Sequence, residues 1–247
     1  MIISLFNQKG GVSKTTSTIN LGWALISKRK KVLMIDLDPQ GHLSKAMQIK
    51  SEIIKYTIYD VFQGIDIYKA MLSDQQYFYF LPSDINLSAV DDELREKQYT
   101  LQKLLNGVRD NFDYTLIDCP PSLGSLSINA LVASDWILVP MATDYLAWCG
   151  FEQLISTYEK VKVLNPKLDI MGILATMHSN TRHSKEMLEV IQSTGRAFKT
   201  VIKHSVKFKD STVLGVPIME YDKDLGKLYL SLAKEVMEID AKKRADK

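Results

Sequence analysis

A run of glycines, lysines and threonines close to the N-terminus has the residue types that bind phosphate. Glycines let the backbone approach phosphate oxygens, a lysine ammonium neutralises their charge, and a threonine hydroxyl is a ligand that Mg²⁺ accepts. The run reads Lys9-Gly10-Gly11-Val12-Ser13-Lys14-Thr15-Thr16. It predicts a nucleotide site in which Lys14 contacts the β- and γ-phosphates and Thr15 contacts the metal.

Two regular elements are needed to position this run. Residues 2–6 are apolar and predict a buried strand before it, and residues 17–27 predict a helix after it. The amides and the positive end of a helix dipole favour an anion at that helix N-terminus. Strand, glycine-rich turn and helix therefore predict a phosphate-binding loop.

The general pattern G-x-x-x-x-G-K-[ST] fails here at Gln8 and Ser13, where it requires glycine. With Lys9 before the glycines, the run resembles the deviant loop K-G-G-x-G-K-[ST] of the ParA/MinD family. The resemblance implies that Lys9 reaches the nucleotide of a partner subunit. Ser13 replaces the last glycine of that loop, at a cost of roughly 1–2 kcal/mol if its φ is positive and of little if φ is negative.

A second acidic block follows the next predicted strand, residues 32–36, and reads Asp36-Leu37-Asp38-Pro39-Gln40-Gly41. Open α/β sheets bind ligands at the carboxyl ends of their strands. The block resembles the D-x-D-P-Q segment of the ParA/MinD family, which implies that Asp38 orients the attacking water and lies near the metal. Considered without the phosphate loop, Asp38 would be read as a helix cap or a turn residue, which Pro39 and Gly41 also permit.

A third strand ends in an acid, in the sequence Tyr114-Thr115-Leu116-Ile117-Asp118-Cys119-Pro120-Pro121. It resembles the Walker B strand, which implies that Asp118 holds Mg²⁺ through water. The same resemblance implies nucleotide contacts from Met177 and Pro217. ATP and Mg²⁺ are accordingly the expected cofactors, and Lys9, Lys14 and Asp38 are the expected catalytic residues.

Strands and helices alternate along the chain, which predicts a mostly parallel, twisted α/β sheet with helices on both faces, a Rossmann-like P-loop NTPase fold. We expect a single domain over residues 1–247 without an N-terminal helix-turn-helix. We also expect one polar helix over residues 87–105, irregular structure over 203–215, and a polar tail from residue 241.

Composition excludes several other classes of protein. The chain has 247 residues, a net charge of +2 and two cysteines. It shows no signal peptide, no apolar run long enough to cross a membrane, and too few cysteines for a disulfide framework. The four histidines form no metal spacing. These features predict a cytoplasmic protein.

Positive charge is concentrated in residues 182–209, which contain seven Lys or Arg and two Glu and carry +5, against −3 for the rest of the chain. Such asymmetry is typical of nucleic-acid binding, although a solvated lysine face gives the same pattern. The segment resembles the place where ParA relatives carry residues for non-specific DNA binding. The candidates are Arg182, Lys199, Lys203, Lys207 and Lys209.

The resemblance as a whole implies a ParA-type partition ATPase. ATP joins two subunits, the homodimer binds DNA without sequence preference and associates with the nucleoid, and a ParB-like or other small partner stimulates hydrolysis. Two alternatives share the fold. One is a MinD-like membrane-positioning ATPase, which needs an amphipathic C-terminal helix, and the other is an ATP-dependent amide-forming ligase, which needs a second substrate pocket. Nitrogenase-like iron proteins need cluster cysteines, and Cys119 lies in the Walker B turn instead.

Overall fold

One eight-stranded sheet runs through the chain, of which the computed structural model describes residues 1–245. The strand order is β3-β4-β2-β5-β1-β6-β7-β8, and every neighbouring pair is parallel except β3 with β4. The strands are β1 (Ile2–Leu5), β2 (Val32–Asp36), β3 (Leu72–Ser73), β4 (Phe78–Leu81), β5 (Tyr114–Asp118), β6 (Trp136–Ala142), β7 (Asp169–His178) and β8 (Ala197–Lys203). The predicted parallel α/β fold is confirmed.

Helices cover both faces of the sheet. They are α1 (Lys14–Ile26), α2 (His42–Ala46), α3 (Ile58–Phe62), α4 (Ile67–Ala70), α5 (Val90–Glu93), α6 (Thr100–Asn106), α7 (Ser125–Ala133), α8 (Tyr145–Cys149), α9 (Phe151–Leu164), α10 (Arg182–Ser193), α11 (Lys207–Val213), α12 (Ile218–Tyr221) and α13 (Lys223–Ala245). Short 3₁₀ turns occupy Ser51–Ile53, Ile85–Ala89 and Arg109–Asn111. No helix within residues 1–245 is long and apolar enough to cross a membrane.

Each face of the sheet has its own hydrophobic core. Helices α1, α12 and α13 pack on one face, with Leu21 and Leu232 fully buried there. Helices α3 to α10 pack on the other face, around Leu101 and Leu131. Because both faces are covered, the central strands are apolar at consecutive positions and do not alternate with polar residues.

Three expectations about local structure are wrong. Residues 87–105 do not form one helix: a 3₁₀ turn and α5 end at Glu93, and α6 begins only at Thr100. Tertiary contacts fix this break, because Asp91 Oδ1 accepts a 2.8 Å hydrogen bond from Leu126 N and Asn129 Oδ1 accepts one of 3.2 Å from Leu101 N.

The other two concern helical residues that were not expected: all of α11, and the end of α13 beyond the helix predicted over about residues 224–239. Helix α11 forms where irregular structure was expected, because Phe208 packs edge-on against the buried ring of Tyr229. Helix α13 continues to Ala245, into the segment expected to be a polar tail. There the Lys243 ammonium lies 3.8 Å from the centroid of the Trp136 ring. Residues 246–247 of that expected tail lie outside the described residues.

Candidate functional site

The three predicted motifs meet at the carboxyl edge of the sheet. Strand β5 lies between β1 and β2, so that Asp118 is the register partner of both Leu5 and Asp36. The phosphate loop follows β1 directly, and Asp38 follows β2. Residues separated by more than 100 positions in sequence therefore form one site, at the edge where open α/β sheets bind ligands.

The phosphate loop has the backbone geometry that close approach of an anion requires. Gly10 and Gly11 have no heavy atom within 4 Å of the position that a Cβ would occupy, and Gly11 has a φ of 73°. Ser13 also lies in the left-handed region, with φ 70° and ψ 29°, and is the N-cap of α1. Because its φ is positive, Ser13 in place of the glycine of the family pattern costs roughly 1–2 kcal/mol.

Lys14 lies inside the loop. Its side chain is buried, and its ammonium donates to the carbonyl oxygens of Asn7 at 2.8 Å and Lys9 at 3.1 Å. Burial lowers the pKa of Lys14, and the charge of Asp118 acts in the opposite direction. A cation that is held away from water interacts strongly with an incoming phosphate.

The predicted metal residues Thr15 and Asp118 are in direct contact. The Thr15 hydroxyl donates to Asp118 Oδ2 at 2.7 Å. Burial, with the charge of Asp36 next in size, raises the pKa of Asp118 to about 8. Burial likewise raises the pKa of Asp36 to about 6. The hydroxyl and the carboxylates supply oxygen atoms, which Mg²⁺ prefers as ligands. The neighbouring carboxylates also repel one another, and a bound cation would relieve that repulsion.

Asp38 is buried at the wall of the same site. Its Oδ1 accepts a 2.9 Å hydrogen bond from Gln40 N, and its Oδ2 lies 3.6 Å from His42 Nδ1. Neither Gln40 nor His42 was predicted as a site residue, although Gln40 belongs to the D-x-D-P-Q segment, and both line the cavity beside Asp38. Asp38 thus lines the same cavity as Lys14 and Thr15, and a hydrogen bond within its own loop holds its carboxylate.

Lys9 does not line this cavity. Its ammonium pairs with Asp144 Oδ1 at 2.8 Å, and the same oxygen accepts the Ala147 amide at the start of α8. Burial acts to raise the pKa of Asp144, but the hydrogen bond from Lys9 and that amide outweigh it and hold the pKa below its ordinary value. Lys9 must leave Asp144 before it can contact a nucleotide.

Two adjoining cavities open at this edge. The first, of about 510 Å³, is lined by loop and motif residues, which are Gly10, Gly11, Ser13, Lys14, Thr15, Thr16, Asp38 and Met177 among the predicted ones. The second, of about 330 Å³, is mostly apolar and includes Ile202, Phe208 and Tyr229. The two share Ser13, Thr16, Met177 and Thr212.

Besides Lys9, two predicted nucleotide contacts, Pro217 and Val12, line neither cavity. Pro217 is buried at the N-terminus of α12 and lines neither cavity. The Val12 side chain is in the core, and its carbonyl accepts a hydrogen bond from the Thr176 hydroxyl. Sequence reasoning missed Phe208 and Thr212, which α11 brings to the site.

The basic candidates do not form one uniform surface. Arg182 pairs with Glu186 and Lys207 with Asp222, whereas Lys199, Lys203 and Lys209 form no ion pair within the described chain. All five are exposed. Lys203 and Lys209 also line the second cavity, so the basic segment adjoins the candidate nucleotide site and is not separate from it.

Known proteins resemble this chain over nearly its whole length. Residues 1–170 match the family described as an AAA domain. The chain is 39% identical over 248 residues to the sporulation initiation inhibitor protein Soj of Bacillus subtilis, covering 95% of this chain and 97% of Soj. It is 36% identical over 259 residues to the chromosome partitioning protein ParA of Caulobacter vibrioides, covering 99% and 96%.

A solved structure agrees with this fold. Cobyrinic acid a,c-diamide synthase from Mycobacterium smegmatis, with a bound ATP analogue and magnesium, superposes with a TM-score of 0.82 at 28% identity. The superposition covers 96% of this chain and 93% of the synthase.

Proposed function

The chain belongs to the ParA/Soj family of P-loop ATPases, and from this premise we propose that it is a partition ATPase. It binds ATP with Mg²⁺, forms an ATP-dependent homodimer, binds DNA without sequence preference in the cytoplasm, and hydrolyses ATP when a ParB-like or other small partner stimulates it. The observation that carries the proposal is the meeting of Lys14, Thr15, Asp38 and Asp118 at one edge of the sheet. The cargo is a plasmid, a chromosome origin or another assembly.

The first cavity suits the triphosphate. The open loop at Gly10 and Gly11 admits phosphate oxygens, and Lys14 neutralises their charge. Thr15 and Asp118 would hold Mg²⁺, which supplies positive charge beside the β- and γ-phosphates. Asp38 accepts a hydrogen bond from the attacking water and orients it towards the γ-phosphate.

The second cavity suits the base. It shares Ser13, Thr16 and Met177 with the first cavity, and its walls include Ile202 and Phe208. Apolar walls with a few polar groups are typical of sites for small molecules and cofactors. We assign the adenine to this cavity, with Met177 at the junction between base and phosphates.

The surface beside Lys9 suits a second copy of the chain. Tyr145 and Leu146 directly follow Asp144, and they are 59% and 70% exposed. Exposed apolar side chains next to a functional site mark an interaction surface. In the proposed dimer, Lys9 leaves Asp144 and contacts the nucleotide of the partner subunit.

The Lys9→Ala variant should lose both ATP-dependent dimerisation and turnover, because one cation is removed from each shared nucleotide site. Sedimentation velocity with ATP measures the dimer, and phosphate release measures turnover. Asp144→Asn is the matched control, since asparagine still caps α8 but no longer pairs ionically with Lys9. We expect this control to dimerise at least as well as wild type. A Lys9→Ala protein that dimerises and turns over normally would place Lys9 among ordinary surface residues.

The salt dependence of DNA binding, measured in variants of Lys203, Lys207 and Lys209, tests the proposed function directly. Each neutralised phosphate contributes about −0.9 to the slope of log K against log salt. Replacing all three by alanine should flatten that slope by up to roughly 5 units if every lysine touches DNA in both subunits. Since Lys207 already pairs with Asp222, the Lys203/Lys209 double variant should account for most of the change, up to roughly 3.6 units.

The measurement is binding to DNA fragments of unrelated sequence, with ATP and with ADP, at several salt concentrations. Lys97→Ala/Lys103→Ala removes two exposed lysines elsewhere and serves as the control. Lys203 and Lys209 line the second cavity, so the ATP affinity and dimerisation of each variant are measured as well. An unchanged slope in a variant that still dimerises would show that the basic segment is only a solvated face.

An amide-forming ligase is the second candidate, favoured by the structural similarity to the diamide synthase. The sequence identity to Soj and ParA is higher, at 39% and 36% against 28%. ATP-dependent DNA binding separates the two, because a ligase has no need of it. A MinD-like role gains no support from α13, whose residues Tyr229, Leu232 and Val236 are buried in the core and not displayed to a membrane.

A further inference from the structure

The Asp36 carboxylate is fully buried and lines neither cavity, yet it contacts the part of the chain that carries Asp38. Its Oδ1 accepts a hydrogen bond from Asp38 N at 3.1 Å. Its Oδ2 accepts two more, from Ser44 N at 2.8 Å and from the Ser44 hydroxyl at 2.7 Å. One buried side chain thus holds three donors.

These bonds reach both ends of residues 38–44, which we call the Asp38 segment. Asp38, Gln40 and His42 of this segment line the first cavity. The far end is fixed a second time, because Ser83 N, just beyond β4, donates to the Ser44 hydroxyl at 3.0 Å. The Asp38 segment is therefore tied to β2 through Asp36 and to the end of β4 through Ser44.

Only a carboxylate satisfies this arrangement. An ionised carboxylate accepts at both oxygens, whereas an amide has one oxygen and an NH₂ group that can only donate. In an Asp36→Asn variant the NH₂ group would face either the Asp38 amide or the two Ser44 donors. At least one end of the Asp38 segment would then lose its anchor.

We infer that Asp36 is a positioning residue for ATP hydrolysis, which acts by holding the Asp38 segment so that the Asp38 carboxylate meets the attacking water. The inference rests on the proposed function, because it takes Asp38 as the residue that orients the water. Asp36 lines neither cavity, and among the described residues its hydrogen bonds go to Asp38 and Ser44 and not to Lys14 or Thr15. Its charge also repels that of its strand neighbour Asp118, so loss of the charge does not weaken the proposed metal site. Its loss should therefore change the rate of the chemical step and spare nucleotide binding.

The Asp36→Asn variant tests this inference. We expect kcat to fall by about 10- to 100-fold, since a displacement of about 1 Å in a reacting group can cost about 100-fold. ATP affinity, measured by fluorescence of a labelled nucleotide, should stay close to wild type. Asp74→Asn is the matched control, because the Asp74 carboxylate also accepts backbone amides, those of Gln76, Tyr77 and Phe78, but it precedes β4, at the sheet edge opposite the site.

A double variant separates positioning from general structural damage. Residues that act as a unit are strongly non-additive, so Asp36→Asn should cause no further loss of turnover in an Asp38→Ala background. Ser44→Ala removes one of the three donors and should lower kcat in the same direction by a smaller factor. This milder variant also tests the inference if the buried Asp36→Asn change prevents folding.

Three results would overturn the inference: wild-type kcat in Asp36→Asn or, if that variant does not fold, in Ser44→Ala; loss of ATP affinity in parallel with kcat; or an equal further loss in the Asp38→Ala background. Failure of the proposed function looks different. If Asp38→Ala alone hydrolyses ATP at the wild-type rate, the role of Asp38 falls whatever Asp36 does. If Asp38→Ala is inactive and Asp36→Asn is normal, only the positioning role falls.

Discussion

Replacing Lys14 with alanine should remove ATP binding, with a loss of affinity of at least about 100-fold. A hydrogen bond to a charged group contributes about 1.5–3 kcal/mol, and the Lys14 ammonium would contact the β- and γ-phosphates in a buried setting. The variant also leaves the carbonyl oxygens of Asn7 and Lys9 without their donor. Both effects lower the affinity of the phosphate loop for the anionic phosphates of ATP.

Equilibrium binding of a fluorescent ATP analogue in the presence of Mg²⁺ measures this loss. Lys28→Ala, an exposed lysine beyond the end of α1, is the control for loss of a positive charge at no functional site. A thermal melt confirms that the Lys14→Ala protein is folded. Near-normal ATP affinity in that protein would contradict the assignment of the phosphate loop, and with it the rest of the proposed function.

Replacing Asp38 with alanine should leave ATP binding and dimerisation intact and lower turnover by at least about 100-fold. Phosphoryl transfer depends on positioning and on charge stabilisation, so loss of the group that orients the water acts on kcat alone. Because ATP then persists in the site, the variant should accumulate as a dimer and stay bound to DNA.

Asp38→Asn refines the measurement. Asparagine keeps an oxygen that accepts the Gln40 amide, so the local turn survives while the negative charge is lost. Equal loss of phosphate release in both variants would assign the effect to the charge. Turnover at the wild-type rate in Asp38→Ala, with ATP saturating, would leave Asp38 as a turn residue only.

The fold and the three motifs were predictable because their signals are local. Short, mostly apolar runs shortly before Gly-Gly, or directly before an aspartate, indicate a buried parallel strand without reference to the rest of the chain. The order of strands and helices then places Lys14, Thr15, Asp38 and Asp118 at one edge, since parallel strands bring their carboxyl ends together.

Several expectations could not come from local signals. Helix α11 has no periodic apolar pattern. It forms because the Phe208 ring packs against the ring of Tyr229, which lies 21 residues later in the chain. The break between α5 and α6 follows from Asp91 and Asn129, whose partners lie 35 and 28 residues away. Pro217, expected at the nucleotide, is buried at α12 instead.

The sequence by itself determined the phosphate loop and the acids at the ends of β2 and β5, because local residue type and spacing specify each of them. It determined the fold class through the alternation of strand and helix patterns along the chain. Only the tertiary structure decided the conformation of Ser13, the pairing of Lys9 with Asp144, the second cavity and the anchoring of the Asp38 segment by Asp36. Ser13 takes its positive φ from a loop held between β1 and α1. The other three depend on side chains that come into contact only after the sheet has formed. Packing between distant segments sets their geometry, so no local sequence pattern predicts it.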